Sequence, residues 1–300
     1  MSSSPGFISS VDDWFLVADQ NLATSDNHLM QGTTTLSVME TSLEIQDVNA
    51  YKAIKVQSVL CWIRSMVANQ LAMDAPGWAH TFAQQASGTY NNQWMVLDVN
   101  KAQKATQSAG ELPDDTFWVI EEVPGLMHAE DQSQYLNTHG YWSSFNEIYY
   151  SDTRSIAGDT HSYSEALRFK IFAELQAGVN NRADFARLIA WNDYQHDSVS
   201  QSPMEAIMAR GDLATWGPAG GGIDAKYSTV SDATAGLLSY GRAGPTNDDQ
   251  PPFCWSAAFA STPHAGHPEC FYYRWGPFVP LNVEGLLERR HSHRGGGDYP

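Results

Sequence analysis

His264, His267 and Cys270, in the segment HAGHPEC, are side chains that ligate zinc. Pro268 interrupts any helix that would align them and no fourth ligand accompanies them, so no metal is expected there. Cys61 is a nucleophile only if a base activates it. It falls instead on the apolar side of a helical pattern, where a free cysteine packs as a small hydrophobe. Asp193, His196 and Asp197 (NDYQHD) have acid–base chemistry at close spacing, but they follow a helix end, where such residues serve as caps and dipole partners. The segment Ser87 to Trp94 (SGTYNNQW) sets amide donors just before a strand, fit either for an oxyanion or polar substrate or for local turns. Gly220 to Lys226 (GGGIDAK) lacks the Walker spacing and reads as a close backbone approach, with Lys226 an isolated cofactor candidate. The GxSxG, HExxH and GxxxxGK[ST] fingerprints are absent, and no cofactor is expected.

The elements that would position these groups follow from periodicity. Asp12 to Asp19 and Thr33 to Ser42 are rich in aromatic and β-branched residues and read as a hairpin around a long polar loop, Gln20 to Gly32. Val56 to Met73 carries Val59, Leu60, Ile63, Val67 and Leu71 at helical spacing, one apolar stripe on one helix. Pro76 opens a second helix to about Gln85. Strands are predicted at Gln93 to Val99 and Thr116 to Glu121, joined by a polar connection from Lys101 to Asp115, with a turn at Val123-Pro124-Gly125. Further helices are predicted at Arg182 to Trp191 and within Ala225 to Ser239. These blocks favour an α+β layered domain, taken over residues 1–280 and followed by a loose tail over 281–300 whose last stretch, Arg289 to Pro300, is basic and glycine-rich.

Composition narrows the partners. Asp and Glu outnumber Lys and Arg by 34 to 17, a net charge of -17, which repels nucleic acid and anionic membrane surfaces. No run approaches the roughly 20 apolar residues of a spanning helix, and the N-terminus lacks the features of a signal peptide. Three cysteines without a CxxC arrangement indicate no disulfide framework, and no Asn-x-Ser/Thr sequon marks a secretory route. The oligomeric state is not legible.

One resemblance is specific. Val11-Asp12-Asp13-Trp14-Phe15, Met39-Glu40-Thr41-Ser42, Gly88-Thr-Tyr-Asn-Asn-Gln-Trp-Met95, Val123-Pro-Gly125, Tyr141-Trp142 with Asn146, Trp191-Asn192-Asp193, Gly221-Gly222-Ile223-Asp224 and Gly244-Pro245-Thr246 resemble, in order, the phospholipase B-like family. The resemblance implies an N-terminal nucleophile hydrolase, an αββα sandwich of two antiparallel sheets in which a cysteine freed by autocleavage attacks the acyl ester or amide bonds of phospholipids. It carries over three catalytic positions: Asn146 as oxyanion donor, Arg168 as the residue orienting the nucleophile or a substrate anion, and Ser42, where the family usually has threonine. The family's cysteine lies upstream of the hairpin, outside this chain, so the N-terminal part of the sandwich is expected to be missing, leaving an unpaired sheet edge and exposed apolar surface. A lysosomal or extracellular location is implied. The rival expectation is a lipid- or ligand-binding remnant of the same fold without turnover.

Overall fold

The computed structural model describes residues 13–17, 20–24, 27–31, 35–200, 202–215, 222, 224–236 and 238–278, the first three segments as backbone. Seven strands form an antiparallel sheet in chain order: β1 (Asp13–Val17), β2 (Gln20–Thr24), β3 (Asn27–Gln31), β4 (Thr35–Ser42), β5 (Asn92–Asp98), β6 (Phe117–Val123) and β7 (Leu126–Asp131). The expected loop from Gln20 to Gly32 is therefore mostly two strands, paired through Leu22 with Met30 and Ala23 with Leu29. Their polar composition hid them, because strand preference measures fit to neighbours more than an intrinsic tendency. β1 and β7 are the sheet's edges.

Eight α-helices are described: α1 (Cys61–Leu71), α2 (Ala75–Phe82), α3 (Val99–Ser108), α4 (Ser133–His139), α5 (Ser151–Ala157), α6 (Leu167–Leu175), α7 (Arg182–Ile189) and α8 (Val230–Gly236). A second antiparallel sheet of three strands holds β8 (Asp224–Tyr227), β9 (Ser239–Ala243) and β10 (Gly276–Phe278), with β9 central. The architecture is mixed α+β with two antiparallel sheets. The segment 281–300, expected as a tail, lies outside the described residues.

α3 replaces most of the connection expected from Lys101 to Asp115. Asp98 ends β5 and at once caps the helix, its carboxylate accepting from the Lys101 N–H at 3.0 Å, while Val99, Ala102 and Ala105 bury one narrow stripe. α2 starts as expected, with Asp74 accepting from the Gly77 N–H at 2.8 Å and Pro76 in the first turn.

The register divides β4 to β6 into two faces. On one, Leu36, Val38, Trp94, Val96 and Ile120 pack against Ala68 of α1 and Trp78, Ala79 and Phe82 of α2. Trp78, Phe82 and Trp94 meet with ring centroids 4.8 to 5.6 Å apart. On the other, Met95, Phe117 and Val119 pack beneath Trp142, Tyr149 and Tyr150.

α1 lies the opposite way round from the sequence expectation. The buried residues are Cys61, Arg64, Ser65, Ala68 and Asn69, whereas of the predicted apolar stripe Leu60, Val67 and Leu71 are exposed and Val59 and Ile63 half-buried. The inward polar groups are satisfied. Arg64 grips the Glu122 carboxylate with bonds of 2.5 and 2.6 Å, donates to the Phe82 carbonyl at 2.6 Å and lies over the Phe82 ring, and Trp78 Nε1 donates to Asn69 Oδ1 at 2.7 Å. Small Ser65 and Ala68 let the helix approach the sheet closely enough for these bonds.

Cys254 and Cys270 form one disulfide, a pairing that the odd cysteine count and the lack of a CxxC arrangement did not indicate. Phe253 and Phe271, packed in one buried cluster, bring the two segments together as an antiparallel bridge; three cysteines leave one unpaired without preventing the other two from pairing. Gly222 sits where an added Cβ would fall 1.8 Å from Met208 Sδ, the close approach expected of the glycine run, of which Gly220 and Gly221 lie outside the described residues. Among the described residues no helix is long and apolar enough to cross a membrane.

Candidate active site

Ser42, Asn146 and Arg168, 104 and 22 residues apart along the chain, meet in space. Ser42 is the last residue of β4, and Arg168 stands in the first turn of α6. Asn146 lies in the segment between α4 and α5, held by buried Phe145 and Ile148 on either side. Tyr163 reinforces that segment by donating its hydroxyl to the Ser143 carbonyl. Asn146 adopts φ of +74°, a left-handed conformation that asparagine tolerates better than most residues.

The amide's orientation is fixed from both ends. Arg168 donates to Asn146 Oδ1 at 2.9 Å, which leaves Nδ2 to donate, at 2.8 Å to the Ser42 carbonyl and 3.2 Å to Ser42 Oγ. A planar amide so clamped presents N–H groups in one direction without further reorganisation, the property an oxyanion donor needs. Burial pulls Arg168 down from the ordinary arginine value, and the negative charges of Glu147 and Glu205 pull it back up.

Beside Asn146, Glu147, Asp159 and His161 bring their ligand atoms within 4.8 Å of one another. Asp159 Oδ1 accepts from the His161 backbone at 2.9 Å and lies 3.0 Å from the ring Nδ1, and Gln46 Nε2 donates to it at 3.3 Å. Burial, then the Asp159 charge, raises Glu147 above the usual carboxylate range.

Sequence reasoning passed over two adjacent carboxylates of β6, one of which supports the site from below. Glu121 and Glu122 are both fully buried and point to opposite faces of β6. Glu121 accepts from Gln93 Nε2, the Tyr149 and Tyr150 backbones and Thr153 Oγ1, at 2.5 to 3.2 Å, tying the segment carrying Asn146 to the sheet. Burial pushes both carboxyls up, and these bonds and Arg64 pull them back. The signal was available: two consecutive acids inside the strand FWVIEEV conflict with its apolar pattern, and such conflicts mark structural networks or sites.

The amide-rich segment Ser87 to Trp94 divides its roles. Gln93 bridges Glu121 and Trp142, whose Nε1 donates to Gln93 Oε1 at 3.2 Å. Asn92 pairs with Ser42 across β4 and β5; because Leu43 N–H donates to the Asn91 carbonyl at 2.8 Å, Ser42 and Asn92 form the closer, non-hydrogen-bonded pair. Asn92 is fully buried, and neither of its amide atoms has a partner among the described residues.

The remaining candidates separate from the trio. Asp193 and His196 bond to each other at 2.6 Å on the surface, and Asp197 accepts from the Val199 and Ser200 backbones, a turn as expected. In HAGHPEC, Cys270 is committed to the disulfide and His264 stacks on Trp255 at 4.1 Å. Cys61 is the free cysteine, buried, its thiol pushed up to about 12 by burial and the nearby Glu122 charge, so it holds no thiolate at neutral pH. Lys226 lies on β8, opposite Gly241 of β9.

The Phospholipase B family profile matches residues 1–277. The chain belongs to that family. It is 34% identical over 301 residues to phospholipase B-like protein G of Dictyostelium discoideum, covering 93% of this chain and 48% of that one. It is 33% identical to protein C of the same organism, over 92% of this chain and 49% of the relative, and 32% identical to putative phospholipase B-like 2 of Mus musculus, over 94% and 48%. The chain thus spans about half the length of the curated relatives it matches.

Proposed function

We propose that this chain forms the oxyanion-stabilising part of a phospholipase B-like hydrolase that cleaves acyl ester or amide bonds of phospholipids. The observation that carries the reading is the Asn146 amide, clamped by Arg168 so that Nδ2 faces Ser42. The name shared by the relatives supports the substrate class, and the two antiparallel sheets support the αββα sandwich of N-terminal nucleophile hydrolases.

In this reading the nucleophile is the family's cysteine, which the resemblance places upstream of the first hairpin. Its thiolate attacks the acyl carbonyl and the carbonyl oxygen takes the negative charge, which Asn146 Nδ2 stabilises in place of its bond to Ser42 Oγ. Collapse expels the glycerol oxygen, protonated by the nucleophile's own α-ammonium, and water hydrolyses the thioester to release the fatty acid. Arg168 keeps Asn146 from flipping its acceptor toward the oxyanion. The Cys254–Cys270 disulfide supports the oxidising environment of a lysosomal or extracellular protein.

The test is fatty-acid release from phosphatidylcholine vesicles by the protein joined to its preceding half. Asn146→Ala is expected to lower kcat by ~10²–10³-fold with a small change in KM, the cost of one oxyanion donor. An Asn146→Ala enzyme that turns over as the parent does removes Asn146 from the mechanism. Absence of release from any acyl ester or amide by the joined parent protein rejects the hydrolase reading itself.

A further inference from the structure

A cavity of about 550 Å³ opens at the second sheet, a size ordinary for a small-molecule site. Arg242 of β9 lines it, together with Asn247 and Asp248 from the turn that follows and with residues 272–275, Tyr-Tyr-Arg-Trp. That last span is held at both ends. The Cys254–Cys270 disulfide and buried Phe271 precede it, and β10 follows it, paired to β9 through Pro277 and Tyr240. None of the lining residues belongs to the Ser42, Asn146 and Arg168 trio.

Charge sets the cavity apart from the rest of the chain. Acidic residues outnumber Lys and Arg by 34 to 17 overall, yet here two arginines stand against one aspartate. Arg242 is a fixed fork, its side chain 6% exposed. Its Nε donates to the Tyr273 carbonyl at 3.0 Å, Nη2 to Asn247 Oδ1 at 2.7 Å, and Nη1 to the Asp248 carboxylate. These bonds leave N–H donors of the guanidinium unused, while Asp248 offsets its charge. Arg274 is exposed and has no hydrogen bond or ion pair among the described residues, so its charge is not offset. Aromatic rings complete the lining. Tyr273 lies 5.9 Å from Phe271 and Trp275 5.1 Å from Tyr227, whereas Tyr272 is 67% exposed.

We infer that this cavity binds a small phosphate monoester, its phosphoryl oxygens on Arg274 and the unused donors of Arg242 and its organic part against the rings of Tyr272 and Trp275. A phosphoryl group offers enough terminal oxygens to accept from two guanidiniums at once, whereas a carboxylate is filled by a single bidentate fork. The rings add flat apolar contact, which favours an aryl ester over free phosphate. The net charge of -17 repels anions at long range, so affinity has to come from these contacts at short range. A soluble aryl phosphate and the headgroup of phosphatidic acid carry the same chemistry, and titration separates the two sources. The inference is independent of the proposed hydrolysis.

The experiment is calorimetric titration of the chain in phosphate-free buffer. Phenyl phosphate is expected to bind at one site per chain, at least ~10-fold more tightly than inorganic phosphate or benzoate. Arg274→Gln is expected to weaken phenyl phosphate by at least ~10-fold and to leave the unfolding midpoint unchanged, since that side chain holds nothing in the fold. Lys104→Gln removes the same charge from an exposed position on α3 and is expected to leave binding as it was. Tyr272→Ala is expected to erase the preference for phenyl phosphate over inorganic phosphate. A second measurement is co-sedimentation with phosphatidic acid vesicles. Binding to them that Arg274→Gln abolishes supports the site with a lipid headgroup as its ester; phenyl phosphate bound without vesicle binding supports it with a soluble one. Absence of both overturns the proposal. So does phenyl phosphate binding that Arg274→Gln leaves unchanged, or that Arg274→Gln and Lys104→Gln weaken alike, and so does benzoate bound as tightly as phenyl phosphate.

Discussion

Replacing Asn146 tests whether the trio is held as described. Asn146→Ala removes both donations to Ser42 and the acceptor for Arg168, leaving a guanidinium in a largely desolvated place without that partner. Leaving such a group unsatisfied costs about 1–3 kcal/mol. Alanine must also hold φ near +74°, which adds roughly 1 kcal/mol for a residue with a Cβ and no side-chain bond to offset it. The total is about 2–4 kcal/mol, read from the midpoint of urea unfolding at constant m. Asn146→Gly loses the same hydrogen bonds but accepts positive φ freely, so it is expected to be more stable than Asn146→Ala by about 1 kcal/mol despite deleting more atoms. Asn146→Asp keeps an acceptor for Arg168 and sets an oxygen against the Ser42 carbonyl, so it too falls below the parent. Alanine and glycine variants of equal stability, or an alanine variant within ~0.5 kcal/mol of the parent, would refute the argument.

Three further outcomes follow from the described contacts. Arg64→Met strands the Glu122 carboxylate in the core and is expected to cost about 3–5 kcal/mol in urea unfolding, with Arg64→Met/Glu122→Gln recovering most of it. Cys254→Ser/Cys270→Ser opens a bridge between residues 16 apart and is expected to lose about 3 kcal/mol, a loss that disappears when parent and variant are compared under reducing conditions. Glu147 has a folded pKa raised by burial and Asp159, so its favourable contribution is complete below the ordinary carboxylate value of about 4.3 and lost as pH rises through the folded value. Glu147→Gln is accordingly expected to raise the Tm at pH 7 relative to the parent, with the difference shrinking toward pH 4; a constant difference across that range contradicts the sign.

Local pattern located most elements and misjudged what they face. The 3.6-residue repeat placed a helix over Val56 to Met73, of which Cys61–Leu71 is helical, yet most of its apolar stripe faces outward, because periodicity reports that two faces differ and says nothing of which neighbour meets each. α3 was hidden by its lysines and glutamines, although Asp98 and the buried alanines Ala102 and Ala105 were in plain sight. β2 and β3 were hidden by polar residues that pairing, rather than burial pattern, organises. The convergence of Ser42, Asn146 and Arg168 was legible through family resemblance and invisible to spacing, since contacts across 104 residues leave no local mark. The Glu121 network was open to a reading of the strand's charge, and the Cys254–Cys270 pair was obscured by the odd cysteine count.

The order of the seven strands has a kinetic consequence. Because each strand pairs with its sequence neighbour, most of the sheet can zip from short hairpins whose closure takes microseconds, and the costly step is the junction where β4 meets β5 across the insertion that carries α1 and α2. That junction is also the one that sets Ser42 beside Asn92 and, through Ser42, within reach of Asn146. The longest closure within the sheet is thus the one that fixes Ser42, so mutations that loosen the Trp78–Phe82–Trp94 packing should slow refolding more than they hasten unfolding.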